Sequence, residues 1–431
     1  MMSAKQNQRT PNRTHPRRAD GLSLIRFEFL KIVRKRSTLT IMAVSLLLTA
    51  FLFGLPVIQY QIYDQNGVMK GTKGIAYDRE QYADLSVPLT EEYITKTIRE
   101  VQGLFEDPAN VGYDGNERFL IGDAYWNEIA PRENFLNLIA RTYAAPNESR
   151  GYNSFPDLDA SDGADFYQAV QAKREAILNE PGRALSNEQK AYWSGMAGKI
   201  DTPLQYGYYE GWEVIISSFG LLLFAVLAIC IVIAPVFSGE YQAGTDAVIL
   251  SAKYGRTKLI TAKLAASLLF GTITFAFHMV TACAIPLAAF GVSGWNLPMQ
   301  IANTAIPYPL TFLQGTMRNI GILYLVLLGM IGLTLFLSSR MKSPYLVLIV
   351  LVPVLFIPML LSPNGTAGAY NLMLFLLPYQ AVMPEFGKYI SYQAGGLAFD
   401  AFSARAILYA VFTAVMLLLA RSGIQRHEAA G

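Results

Sequence analysis

Six apolar runs dominate the sequence, and they leave such a chain almost no fold but a bundle of membrane-crossing helices. A spanning helix needs ~20 mostly apolar residues; the runs lie at 38–60, 214–237, 264–290, 320–337, 345–361 and 401–420. The fifth is short and holds Pro353 and Pro358, which shape a helix in lipid rather than abolish it. Charged residues make up 16% of the 431 residues, against ~25% in a typical soluble domain. The expected fold class is therefore an all-α polytopic membrane protein with six transmembrane helices. A net charge of +3 is too small to argue for a nucleic-acid partner. Cys230 and Cys283 both sit inside apolar runs and read as small hydrophobes; neither a zinc spacing nor a disulfide framework is present.

The loops orient the bundle. Segments 1–36, 239–263, 338–344 and 421–431 hold 18 Lys/Arg in 79 residues, whereas 291–319 and 362–403 hold only Arg318 and Lys388 in 71. The positive-inside rule then places both termini in the cytoplasm. Residues 1–20 read as a disordered basic tail, and the first apolar run is too long and too late for a cleavable signal peptide. A polar insert, 61–210, separates the first two runs and falls outside the membrane; it carries 14 Lys/Arg and 24 Asp/Glu. Helical spacing of Ile94, Ile98, Val101 and Phe105, and of Phe135, Leu138, Ile139 and Tyr143, predicts a mostly helical extracytoplasmic domain. Ser186 with Gln189 predicts a capping box ahead of a helix with Tyr192 and Trp193.

Two cytoplasmic stretches look mechanical. In 21–36, Leu22, Ile25, Phe29, Ile32 and Val33 recur at helical spacing among Arg26, Lys31, Arg34 and Lys35, as in a helix lying in the headgroup plane. It reads either as a topology anchor or as an elbow that pushes on the first span. In the link 240–258, Glu240 is an unusual carboxylate among cations, Gly244 gives a turn, and Thr245 can cap a short helix. Asp246 suits that helix's first turn, Val248, Ile249 and Leu250 make it apolar on one side, and Gly255 with Arg256 ends it. Such a helix is a handle for a cytoplasmic partner; the stretch also reads as a loop whose cations only snorkel.

In this link the chain resembles the permease subunits of ABC-2-type (type-2 ATP-binding-cassette) exporters. The resemblance rests on Glu240, Gly244-Thr245, Val248 to Leu250, Ser251, Arg256 and Lys263 in that order. Many members carry a Pro before the Arg, where this chain has Ala252-Lys253-Tyr254. Phe27-Glu28-Phe29-Leu30-Lys31, followed by Arg34-Lys35-Arg36 and a span, is similar to the family's elbow helix, which brings in Glu28, Lys31 and Arg34. The resemblance implies a non-enzymatic, multi-pass subunit of a bacterial cell membrane. It would contact membrane lipid and a second permease, as homodimer or heterodimer. The link would dock on a separate ABC ATPase, with Glu240 orienting it, Gly244 turning it, Thr245 capping it and Arg256 anchoring its end. It implies no cofactor in this chain, ATP-Mg being bound by the ATPase; consistently, the chain lacks G-x-x-x-x-G-K-[ST]. It also implies a re-entrant or interfacial segment at 366–387.

Other residues carry less. His278 lies midway along the third run, as an intramembrane polar site or as a hydrogen-bonded core group. The three histidines, His15, His278 and His427, are scattered and make no metal site. The 157–163 acidic turn departs from a calcium loop at both its Gly and its Glu position. The acidic, aromatic-rich insert also permits another reading, a membrane-anchored receptor or sensor that binds a ligand such as a cationic peptide.

Overall fold

The computed structural model describes residues 21–159, 161–251, 255 and 257–425, the side chains of 249 and 250 excepted. The basic tail 1–20 and Arg256 lie outside the described residues, as do the side chains of Ile249 and Leu250. Helix α1 (Gly21–Val33) leads into α2 (Arg36–Gln59), and a hairpin of β1 (Gln61–Asp64) and β2 (Gly67–Lys70) follows at once. The insert continues through α3 (Gly71–Gln81), α4 (Glu91–Glu106), the hairpin β3 (Val111–Asp114) and β4 (Glu117–Leu120), α5 (Glu133–Tyr143), α6 (Phe166–Asn179) and α7 (Asn187–Ala197). Helices α8 (Glu210–Ser217), α9 (Leu223–Ile233) and α10 (Pro235–Gln242) return the chain to the bundle. Then come α11 (Asp246–Ser251), α12 (Lys258–Phe290), α13 (Phe312–Arg340) and α14 (Pro344–Leu360). The chain closes with α15 (Ala369–Leu374), α16 (Pro378–Val382), the hairpin β5 (Ser391–Ala394) and β6 (Leu397–Asp400), and α17 (Ala401–Gln425).

Five helical stretches are long and apolar enough to cross a membrane: Arg36–Gln59, Phe219–Gln242, Lys258–Phe290, Phe312–Arg340 and Ala401–Gln425. The fifth apolar run forms α14, which at 17 residues is shorter and contains Pro353 and Pro358. The second stretch is broken at Pro235, which has no N–H for the helix ladder. Ser338 of α13 repairs the break: its Oγ accepts from the N–H groups of Phe237 and Ser238 at 3.1 and 3.0 Å and donates to the Ala234 carbonyl at 2.6 Å. A buried serine thus satisfies backbone groups that the proline break leaves open. Helices α13 and α17 pack closely because Gly329 and Gly332 face Tyr409, Phe412 and Met416. A Cβ at either glycine would meet those side chains at 3.0–3.1 Å, so larger residues would push the helices apart.

The buried side chains of the insert are continuous with those of the bundle, and the insert's helices fall where the spacing predicts. Ile94, Ile98 and Val101 of α4 and Phe135 and Ile139 of α5 are all fully buried, as are Phe166, Trp193 and Tyr206. The Ser186–Gln189 capping box forms in full at the start of α7. The fold is mostly helical, with three short hairpins added; two of them turn on a glycine at positive φ, Gly115 or Gly395, and the first turns on Gln65-Asn66. Four-residue strands are too short to leave an alternating pattern in the sequence. The insert is tied to the 366–400 region by Trp193 and Gln189, which donate to Ser391, and by Arg183, which donates to the Lys388 carbonyl. In that region α15 and α16 are held against α17 by Arg405, fully buried, which donates to the Phe375 carbonyl at 2.9 Å, and by Tyr409, which donates to that of Leu376.

Candidate coupling site

At the end of the bundle remote from the insert, α1, α10 and the start of α12 meet around one lysine. Lys263 Nζ lies 2.6 Å from Glu240 Oε1, 3.0 Å from Glu28 Oε2 and 3.5 Å from the Val236 carbonyl. Its three ammonium protons therefore have three oxygens to meet, which a buried cation requires. Lys263 is 3% exposed and Glu28 5%, so this is an interior ion pair rather than a surface one. Lys31, one turn beyond Glu28 on α1, reaches the same Glu240 oxygen at 3.1 Å. Two carboxylates and two ammonium groups thus balance in charge. Burial works against the Lys31 ammonium, but Glu28 and Glu240 together hold it above its ordinary range. Lys35 goes the other way, pushed down by burial and then by the charges of Lys31 and Lys263. A cavity of about 230 Å³ opens beside the network, lined by Lys31, Lys35, Gly239, Glu240 and Thr245 among others.

Two features of the elbow were not visible in its sequence. Its buried face carries Glu28 with Ile32, one turn apart, while Leu22 and Phe27 are 76% and 62% exposed. The charged residue, not the apolar stripe alone, is what the bundle takes in. The elbow also packs chiefly on α12, the third apolar run, and only lightly on α2. Arg34 lies just past the end of α1 and is exposed.

The link beyond Glu240 folds as a turn and a short helix. Gly244 adopts φ +64°, a left-handed conformation that a β-branched residue resists. Thr245 precedes α11, and its hydroxyl donates back to the Glu240 carbonyl at 3.3 Å. It ties the turn to α10 at the position where a capping role was expected. Asp246 opens α11 and lines a small cavity with Glu240, Tyr241 and Lys263. Val248 is 72% exposed, an apolar side chain presented outward beside the ionic network.

His278 lies elsewhere, fully inside the bundle. Its Nδ1 is 2.8 Å from Thr49 Oγ1 and its Nε2 3.3 Å from Ser45 Oγ, so it clips α12 to α2. Ser45 and Thr49 were missed in the sequence; the signal was there, as hydroxyls one turn apart on the face of α2 that Thr38 and Phe53 share. Lys263 had entered only as the last residue of a motif. Its carboxylate partners stand 23 and 235 positions away, which no local pattern reveals.

Among curated proteins, no match is found. The family described as ABC-2 family transporter protein matches residues 22–422, from the first turn of α1 to the last turns of α17. Elbow, ionic network, link helix, insert and bundle all fall within that match, and the chain therefore belongs to the ABC-2 transporter family.

Proposed function

We propose that this membrane permease, a multi-pass component of an ABC transporter, works as an exporter driven by a separate ATPase subunit that docks at the coupling site. In this reading the end bearing α1, α10 and α11 is cytoplasmic and the insert is extracytoplasmic, in a bacterial cell membrane. Two permease chains, identical or related, form the pathway, and ATP-Mg is held by the ATPase. The observation that carries the reading is the Glu28–Lys263–Glu240–Lys31 network, with the exposed α11 next to it. A push on α11 passes through the Gly244 turn to Glu240, and from there through Lys263 to α12 and through Glu28 to the elbow. The elements so joined move as one body, which is what switching access across a bundle requires. Glu240 orients the link, Gly244 and Thr245 shape it, Asp246 and Leu250 belong to its docking helix, and Arg256 anchors its end.

The test is co-purification with the cassette ATPase encoded nearest to this chain, with ATP hydrolysis and substrate efflux measured together. The double variant Gly244→Val, Thr245→Pro is expected to insert normally and to lose efflux at least tenfold. Normal efflux by a well-expressed double variant, or failure of the two wild-type chains to associate, would overturn the assignment.

A further inference from the structure

We propose that the cavity between the elbow and α10 binds the phosphate group of an anionic phospholipid, with Lys35 as its principal cation and an acyl chain laid along α2. The cavity, about 230 Å³, is lined by five ionisable side chains, Glu28, Lys31, Lys35, Glu240 and Lys263, among small and apolar ones. Three ammonium groups face two carboxylates, so one positive charge is left over. The carboxylates are already engaged. Lys263 reaches Glu28 at 3.0 Å and Glu240 at 2.6 Å, and Lys31 reaches Glu240 at 3.1 Å. Lys35 is the lining cation without a carboxylate at ion-pair distance among the described residues. The charges that act on it are those of Lys31, Lys263, Glu240 and Glu28, all of which line this cavity, so its ammonium group faces the same space. Burial and the two neighbouring cations push it below its ordinary range, a cost that an arriving anion offsets.

The surroundings select a lipid over a free anion. The Lys35 carbonyl accepts from the Leu39 N–H at 3.2 Å, which sets Lys35 one turn before Leu39. From there Leu39, Ala43 and Leu47 follow at four-residue spacing, one above the other on one face of α2, and all three are exposed. A lipid whose phosphate sits at Lys35 therefore has an uncovered apolar row for its chain. The volume falls below the ~300–1,000 Å³ of sites for whole drug-sized ligands, so the cavity takes a headgroup and leaves the chains outside. Arg26, Lys31, Arg34, Lys35 and Arg36 cluster just ahead of α2, a pattern that draws anionic lipid. A zwitterionic headgroup would bring its own ammonium group toward Lys31 and Lys35 and is disfavoured. Because Glu240 and Lys263 share the wall, an occupant touches the network that joins the elbow to the link.

The site does not depend on the docking of an ATPase, and binding is measured on the whole chain alone. Dihexanoyl phosphatidylglycerol is titrated by calorimetry into the purified chain held in amphipol, beside dihexanoyl phosphatidylcholine and inorganic phosphate. Phosphatidylglycerol is expected to bind at least tenfold more tightly than phosphatidylcholine, which carries the same chains, and inorganic phosphate more weakly than either. Lys35→Gln is expected to abolish the preference for phosphatidylglycerol with the protein still monodisperse, and Lys35→Arg to keep it. Arg26→Gln removes a cation of the same helix that does not line the cavity, and is expected to leave the preference unchanged. Leu39→Gln is expected to weaken phosphatidylglycerol binding several-fold, and stands in if Lys35→Gln misfolds. An unchanged preference in Lys35→Gln, or equal losses in Lys35→Gln and Arg26→Gln, would overturn the proposal. Inorganic phosphate binding as tightly as the lipid would overturn it too, in favour of a free anion.

Discussion

Lys263 satisfies two carboxylates that belong to different helices, and this gives it a weight out of proportion to its size. Removing it leaves Glu28 buried and uncompensated, a class of change that costs about 3–5 kcal/mol when one member of an interior pair is lost. Lys263→Met is therefore expected to lower the thermal stability of the detergent-purified chain markedly, and Lys263→Met with Glu28→Gln to recover part of the loss. A scanning fluorimetry series of the single and double variants checks this, and equal stability of Lys263→Met and wild type would refute it. At the same scale, Glu28 was legible as part of an elbow motif but not as a buried residue. Its sequence neighbours Phe27 and Phe29 are more apolar, yet Phe27 is the one left in the open. Which side of a helix is buried depends on what the neighbouring helix offers, here an ammonium group.

Single elements show how far a pattern reaches. The helices α4, α5 and α7 were legible because amphipathic spacing and a capping box are local properties, written within 16 residues or fewer. The hairpins were not, although Gly115-Asn116 and Gly395-Gly396 are short turn signatures between them. Helix α8 illustrates a property no pattern carries. Glu210 is pushed up to about 8, first by burial and then by the charges of Glu213 and Asp78. The folded state therefore binds a proton that the unfolded chain releases near 4.5. Stability from this group is complete below that value and is lost as pH rises toward about 8. The melting temperature is expected to fall between pH 5 and pH 8, and Glu210→Gln to flatten the slope. Parallel pH profiles of the two proteins would expose the error by remaining superimposable.

For the whole molecule, the charged network lies at one end of the bundle and the insert at the other. The orientation expected from loop charge would put the first end in the cytoplasm and the second outside. A cysteine at Asn66 on the first hairpin and one at Val248 on α11, each in a background with Cys230 and Cys283 replaced by alanine, test it in whole cells. The Asn66 position is expected to react with a membrane-impermeant maleimide from outside, and the Val248 position only after permeabilisation. Labelling of both from one side would remove the orientation. Exposed apolar residues such as Leu47 on α2, Leu360 on α14 and Leu418 on α17 form the bundle's outer surface, as lipid or a second permease would require.

Hydropathy and the order of a few link residues were enough, by themselves, to indicate a membrane bundle and its family. These are local or additive quantities, summed along the chain without knowing which residues meet. Tertiary structure alone decided that Glu28, Glu240 and Lys263 form one network, that Ser338 mends the helix broken at Pro235, and that His278 clips α12 to α2. Each depends on groups far apart in sequence being brought out of water together. The cost and the reward of an ionisable or polar group in that setting come from its neighbours in space.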